Sequence, residues 1–254
     1  MKYFESHAHY DDKRFREDRE ELLGELLPAS GVNHVINIGC DVKSSEMSIR
    51  LADRYDYIYA AVGVHPHELY DMSSQTIAKL KKLSEHPKVV AIGEIGLDYY
   101  YDTHPRELQR FWFRQQLRLA EEVNKPVIIH SREASQETFD IIQSTNVRRG
   151  SIHCYSGSAQ MAQDYVKMGF HIGVGGVVTF SNAKKLVETV EAIPIESILI
   201  ETDCPYLAPN PNRGKRNDST NLKYIVEKIA EIKNMTPEDV AKITESNAKS
   251  LFFK

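Results

Sequence analysis

The stretch Tyr3-Phe4-Glu5-Ser6-His7-Ala8-His9 carries the chain from its start into a pair of histidines. Read as a regular β-strand, it turns successive side chains to opposite faces, which puts Glu5, His7 and His9 on one side. Two imidazoles two residues apart on one strand face are spaced to bind a single metal ion. An isolated pair of this kind is as often an ordinary strand end. Here the rest of the chain repeats the pattern, closing apolar strand after apolar strand on a histidine or a carboxylate.

The second strand is Val32 to Ile38 and the third Tyr57 to Val64, leading into Gly63-Val64-His65-Pro66-His67. The fourth, Lys88 to Glu94, ends on a carboxylate; the fifth, Val127 to Ile129, runs into His130; the sixth, Ser151-Ile152, runs into His153. The seventh is Phe170 to Val174 and the eighth Ile198 to Asp203. Helical periodicity separates them. Leu22, Leu23, Leu26 and Leu27 mark a stripe within Arg16 to Leu27. Asp41 is placed to cap the helix through Met47, Leu51 and Ala52, and Leu108, Phe111, Trp112, Leu117 and Ala120 face the core from a helix over 105–123. Shorter repeats around Leu80, Ile141, Val166 and Leu186 fill the remaining intervals, and Thr236 with Pro237 opens a closing helix. Eight strand-helix units of this size predict a (β/α)₈ TIM barrel over residues 1–254 as one domain. An open doubly wound sheet fits less well. The polar strand ends come from strands one, four, five, six and eight, and only a closed barrel brings all five to one mouth.

Composition narrows the function. The 254 residues carry a net charge of -4, which argues against electrostatic coating of nucleic acid yet leaves room for a local grip on one phosphate. Cys40, Cys154 and Cys204 are odd in number and form no CxxC, so a reducing compartment is expected. With no apolar signal region and no spanning segment, the expectation is a cytoplasmic protein away from membranes, with no obligate protein partner evident.

The converging set is His7, His9, Glu94, His130, His153 and Asp203: four nitrogen and two carboxylate ligands for a dinuclear site at the C-terminal mouth. Two divalent ions fit if one carboxylate bridges, and Glu94, roughly opposite the first strand, is best placed to do so. A metal pair can clamp the attacking and leaving oxygens of a displacement at phosphorus, and Asp203 would take the proton from the attacking water.

In order along the chain, Ser6-His7-Ala8-His9, Gly63-Val64-His65-Pro66-His67, Ala91-Ile92-Gly93-Glu94-Ile95-Gly96-Leu97-Asp98-Tyr99, Ile129-His130-Ser131-Arg132, His153-Cys154-Tyr155-Ser156-Gly157, Glu201-Thr202-Asp203-Cys204-Pro205-Tyr206-Leu207 and Arg213-Gly214-Lys215-Arg216-Asn217 resemble the TatD-type metal-dependent deoxyribonucleases of the amidohydrolase superfamily. The resemblance spans nearly the whole chain. It implies that His7, His9, Glu94 and Asp203 bind one metal and that Glu94, His130 and His153 bind the other. It also implies phosphodiester hydrolysis on single-stranded DNA ends, as a 3′-5′ exonuclease. Glu5 departs from the family's usual aspartate and is expected to support the histidine pair from behind. A strand-four glutamate in place of a carboxylated lysine weighs against the hydantoinase-like and urease-like members.

Around the ligands, His65, Arg132, Lys215 and Tyr155 are candidate substrate contacts, the cations as phosphate clamps and the aromatics, including Tyr99, Tyr100, Tyr101, Phe180 and Tyr206, as stacking surfaces. Glu201 shares a face with Asp203 and is expected behind the ligands. His34, His86, His104 and His171 are assigned to surface or packing. The donor set suits zinc, manganese, nickel, iron or magnesium. The rival readings are an amidohydrolase acting on a small ester, lactone or amide, and a non-catalytic binding module.

Overall fold

Strands that are apolar on both faces need cover on both, and a barrel supplies it with an outer ring of helices and an inner core. In the protein's structure, a computed structural model that describes residues 1–253, eight such strands form one parallel sheet in sequential order. They are β1 (Tyr3–Ala8), β2 (Val32–Ile38), β3 (Ile58–Val62), β4 (Val89–Asp98), β5 (Val127–Arg132), β6 (Gly150–Ile152), β7 (Phe170–Val174) and β8 (Ile198–Ile200). The first and last strands meet. Ser6 Oγ donates to the Ile200 carbonyl at 3.0 Å, and Ala8 pairs in parallel with Cys204. The Asp203 N–H donates to the His7 carbonyl at 3.0 Å and the His9 N–H to the Cys204 carbonyl at 2.9 Å. This seam closes a TIM barrel and brings both ends of the ligand set together.

Several boundaries differ from the sequence expectation. β4 continues past Glu94 because Ile95, Gly96, Leu97 and Asp98 pair with Ile129, His130, Ser131 and Arg132. β8 stops at Ile200; Asp203, with φ of +54°, has left the extended region. The first helical segment, Arg19 to Ala29, contains a π turn at Leu22–Leu26, whose wider turn moves Leu26 off the stripe and into solvent while Leu22, Leu23 and Leu27 stay buried. In the helix Arg106–Glu122 the inward face is Gln109, Phe113, Gln116, Leu117 and Ala120, and Phe111 is exposed. Two glutamines share the buried stripe, and a count of apolar residues alone rotates it. The expected caps are present: Asp41 accepts the Ser44 N–H at 2.6 Å and Thr236 Oγ1 the Asp239 N–H at 3.1 Å.

Phe4, Ile36, Ala61, Val90, Ile128 and Leu199 come from six strands and form one cluster, closed by Leu251 and Phe252 of the last helix, Pro237–Phe252. Residues of six strands meet in this way inside the barrel. They make an apolar floor, and the mouth at the strands' C-terminal ends is the polar end.

Candidate metal centre

Glu94 sits at the centre of the mouth, 3% exposed, and its two oxygens face different partners. Oε2 lies 3.4 Å from His7 Nε2 and 3.8 Å from His9 Nε2. Oε1 lies 2.9 Å from His130 Nδ1 and 2.6 Å from His153 Nε2. Asp203 Oδ1 completes the first side, 3.5 Å from His9 Nε2 and 3.8 Å from His7 Nε2. All six residues expected as ligands therefore come together. His7, His9 and Glu94 offer ligand atoms within 4.8 Å of one another, as do His7, His153 and Asp203, and His65, Glu94 and His130.

These residues fit divalent cations. The Nε2 atoms of His7 and His9 approach to 3.1 Å in a buried site, and His7 Nδ1 has no hydrogen-bond partner. Buried imidazoles crowded in this way around one carboxylate gain from a shared cation that satisfies their lone pairs. The local electrostatics agree. Burial pushes the Glu94 carboxyl up, but His153, His65, His7 and the His130 hydrogen bond outweigh it and hold the group well below the usual range. Burial and the neighbouring His153 push His7 down, favouring the neutral ring that a metal requires. Burial opposes charge on His153 as well, but Glu94 and Glu201 raise it well above its ordinary value; in that state a proton balances Glu94 where a cation would.

Behind the ligands stands a buried polar support that the sequence reading only partly located. Asp98, fully buried, places Oδ2 3.0 Å from His130 Nε2 and 3.0 Å from His67 Nε2, while Oδ1 accepts the N–H groups of Tyr100 and Tyr101. It thereby fixes which His130 nitrogen faces Glu94. Gln109 clips the Asp98 backbone, its Oε1 accepting from the Asp98 N–H at 2.9 Å and its Nε2 donating to the Asp98 carbonyl at 3.1 Å. Gln116 does the same at Val64, next to His65. Asn217 donates to the carbonyls of Thr202 and Tyr206 and pins the loop around Asp203. Glu201 accepts the Cys154 N–H at 2.5 Å and lies 3.7 Å from His153 Nδ1, in the supporting place expected of it. Gly173 makes room for that carboxylate, since a Cβ there would fall 2.4 Å from Glu201 Oε2.

The shared face expected for Glu5 does not hold. The β1 register shifts between Glu5 and Ala8, so strict alternation fails. Glu5 turns to Thr202, accepting from its N–H at 2.8 Å and its hydroxyl at 2.6 Å, and accepts from Ser219 Oγ at 2.7 Å. It supports the β1–β8 seam and, accepting the His7 N–H at 3.2 Å, also backs the histidine pair as expected. Burial raises its pKa to about 7.

The candidate substrate contacts separate. His65 stands inside the cluster, Nε2 3.7 Å from Glu94 Oε1, and burial with the adjacent His130 lowers it well below its ordinary value. Arg132 is exposed at the rim, its guanidinium 4.0 Å from the Tyr100 ring centre. Lys215 is exposed on the loop after β8. Tyr155 is a correction: its ring is 5% exposed in the core and its hydroxyl donates to the Ser158 carbonyl at 2.7 Å, so it offers no face to a substrate. Arg216, noted beside Lys215, is tied to Asp18 by a bidentate pair and braces the loop. Of the histidines assigned to packing, His104 is buried with Nε2 on the His67 carbonyl, and His34 is stacked in the floor.

A TIM barrel with this ligand set at its C-terminal mouth defines a metal-dependent hydrolase. Residues 4–253 match the TatD related DNase family, and the chain belongs to it. It is 45% identical over 251 residues to the uncharacterized metal-dependent hydrolase YabD of Bacillus subtilis, covering 98% of each chain. With the uncharacterized metal-dependent hydrolase TatD of Mycobacterium tuberculosis it shares 36% identity, covering 98% of this chain and 97% of the relative. The crystal structure of the TatD homolog YjjV from Escherichia coli superposes with a TM-score of 0.93 at 31% identity, over 99% of this chain and 98% of the other.

Proposed function

We propose that the chain hydrolyses phosphodiester bonds of DNA at single-stranded 3′ ends, as a 3′-5′ exodeoxyribonuclease using two divalent cations. The observation that carries this reading is the division of Glu94, one oxygen toward His7 and His9 and the other toward His130 and His153. In it, His7, His9 and Asp203 would hold one cation and His130 and His153 the other, with Glu94 shared between them. Zinc, manganese, nickel, iron and magnesium are all compatible with these donors. When bound, the pair supplies Lewis-acid polarisation of a phosphoryl oxygen and a more acidic water.

The protein's own residues do the rest. Asp203 is kept ionised: burial opposes this, but His9 and His7 beside it lower its pKa. It takes the proton from the water whose oxygen attacks phosphorus; the P–O3′ bond breaks and the leaving oxygen is protonated from solvent. Asp98 and Glu201 hold His130 and His153 in register, and His65, neutral, faces the phosphate from the Glu94 side. Arg132 and Lys215 grip phosphates at the rim. The free cysteines Cys40, Cys154 and Cys204 suit a reducing, cytoplasmic setting. No helix among the described residues is long and apolar enough to cross a membrane.

The test is a time course on a 5′-labelled single-stranded oligonucleotide with manganese or magnesium, wild type beside Asp203→Asn. A ladder that shortens one nucleotide at a time, slowed about 10²–10⁴-fold in the variant, is expected. No cleavage by folded, metal-loaded wild type, alongside turnover of an ester or lactone panel, contradicts the phosphodiester reading.

A further inference from the structure

Three exposed tyrosines stand at the mouth in two groups, each tied by backbone N–H groups to a residue of the site. Tyr100 and Tyr101, 58% and 57% exposed, donate their N–H groups to Asp98 Oδ1, both at 3.0 Å. Tyr206, 49% exposed, donates its N–H to the Asp203 carbonyl at 2.9 Å. The first group follows β4 and the second follows β8. In a closed eight-stranded barrel these strands lie on opposite sides of the axis, with Glu94, His7 and His153 between.

Each group carries a guanidinium on a ring. Arg132 lies 4.0 Å from the Tyr100 centroid and 4.8 Å from that of Tyr101, and Arg14 lies 4.2 Å from that of Tyr206. Arg14 is itself fixed by Asp12, whose two carboxylate oxygens accept from Nε and Nη2 at 2.9 and 2.8 Å. On the first side the rings continue inward: Tyr101 meets His67 edge-on at 5.2 Å, and His67 meets His65 at 4.5 Å. An aromatic face next to a fixed cation is the surface that a base and its phosphate occupy together. A guanidinium takes one face of a ring and leaves the other.

We propose that these are two base-stacking walls on either side of the metal centre, so that the substrate is read as two neighbouring nucleosides with the scissile phosphate between them. Tyr100 and Tyr101 with Arg132 take one base and its flanking phosphate; Tyr206 with Arg14 takes the other. The unit recognised is thus an unpaired dinucleotide step, since a base still paired in a duplex presents no free face to a wall. This inference rests on the phosphodiester reading above and specifies what that site grips.

The experiment compares wild type, Tyr206→Ala and the double variant Tyr100→Ala/Tyr101→Ala on single-stranded DNA oligonucleotides. These carry 2-aminopurine, or an abasic tetrahydrofuran residue, on one side or the other of the terminal linkage. Binding is read by 2-aminopurine fluorescence with calcium in place of the working metal, and cleavage by kcat and KM with manganese. Each variant should raise KM on normal DNA about tenfold with kcat within about twofold. Placing the abasic residue on the side served by the deleted wall should abolish that difference, while placing it on the other side should preserve it. If wild type cleaves DNA and neither variant changes KM or the fluorescence, the walls are wrong and the hydrolase reading stands. If wild type binds the fluorescent oligonucleotide through both walls but cleaves nothing, the walls stand and the phosphodiester chemistry fails. Absence of both binding and cleavage overturns both.

Discussion

His34 and His7 are both buried or half-buried imidazoles stacked on a ring, at opposite ends of one barrel. His34, in the floor, lies 5.1 Å from Phe4 with its plane tilted by 9°, and Phe253 and Tyr59 complete its surroundings. His7, in the mouth, lies 3.9 Å from His153 with a tilt of 10°, and around it stand His9, Glu94 and Asp203. Burial lowers the pKa of both. The residue type and its packing are therefore not what separates a structural histidine from a metal ligand. The difference is whether other donors converge on the same point: aromatic rings surround His34, whereas His9, Glu94 and Asp203 gather at His7 Nε2.

The sharpest way to break this contrast is Glu94→Ala, which removes the one group both halves of the mouth share. Turnover should fall by about 10³-fold or more, and the thermal midpoint of the metal-free protein should fall as well, because His130 and His153 lose the buried carboxylate that balances them. At the floor, Phe4→Ala should do the reverse. It leaves a cavity worth about 3–5 kcal/mol of stability, read by denaturant unfolding, with metal uptake by the folded fraction unchanged. Asp98→Asn tests whether the support matters as argued: it keeps the fold and the ligands but loosens His130, lowering metal affinity or turnover about 10–100-fold, as read by competition with a chelator.

Glu5 lies between these regions and gives a pH signature. Its folded pKa of about 7 is above its ordinary 4.5, so the folded chain holds a proton that the unfolded chain has lost between those values. Stability should fall as pH rises from about 4.5 to 7, by about 3 kcal/mol in all. Glu5→Gln, compared with wild type in chelator, should flatten that part of the curve; parallel curves would show that Glu5 titrates normally. The smallest effect belongs to His34→Phe. Metal content and rate should stay at wild-type levels and stability should move by less than about 1 kcal/mol, because the unpartnered Nδ1 is lost and the stack is kept.

The barrel and the convergence of the six candidate ligands are legible because both are periodic signals: apolar runs of strand length, most of them closed by a histidine or a carboxylate. What the sequence hid is instructive. Asp98 lies beyond the strand end expected at Glu94 until pairing with β5 extends β4 to reach it. Gln109 and Gln116 lie on a buried helix face that hydropathy scores as polar, yet each closes two backbone hydrogen bonds beside a site residue. Glu5 was placed by strict alternation, which a register shift in β1 defeats. Tyr155 has the sequence position of a rim aromatic but turns inward, where its hydroxyl finds a carbonyl. A polar residue's partner across the chain leaves no trace in local spacing.

Metal stoichiometry tests most directly whether one carboxylate, Glu94, unites two cation sites. Equilibrium dialysis of chelator-stripped protein against manganese or zinc, followed by elemental analysis, should give two equivalents per wild-type chain and loss of tight binding at both sites in Glu94→Ala. One equivalent in wild type, or two retained by Glu94→Ala, would contradict the account.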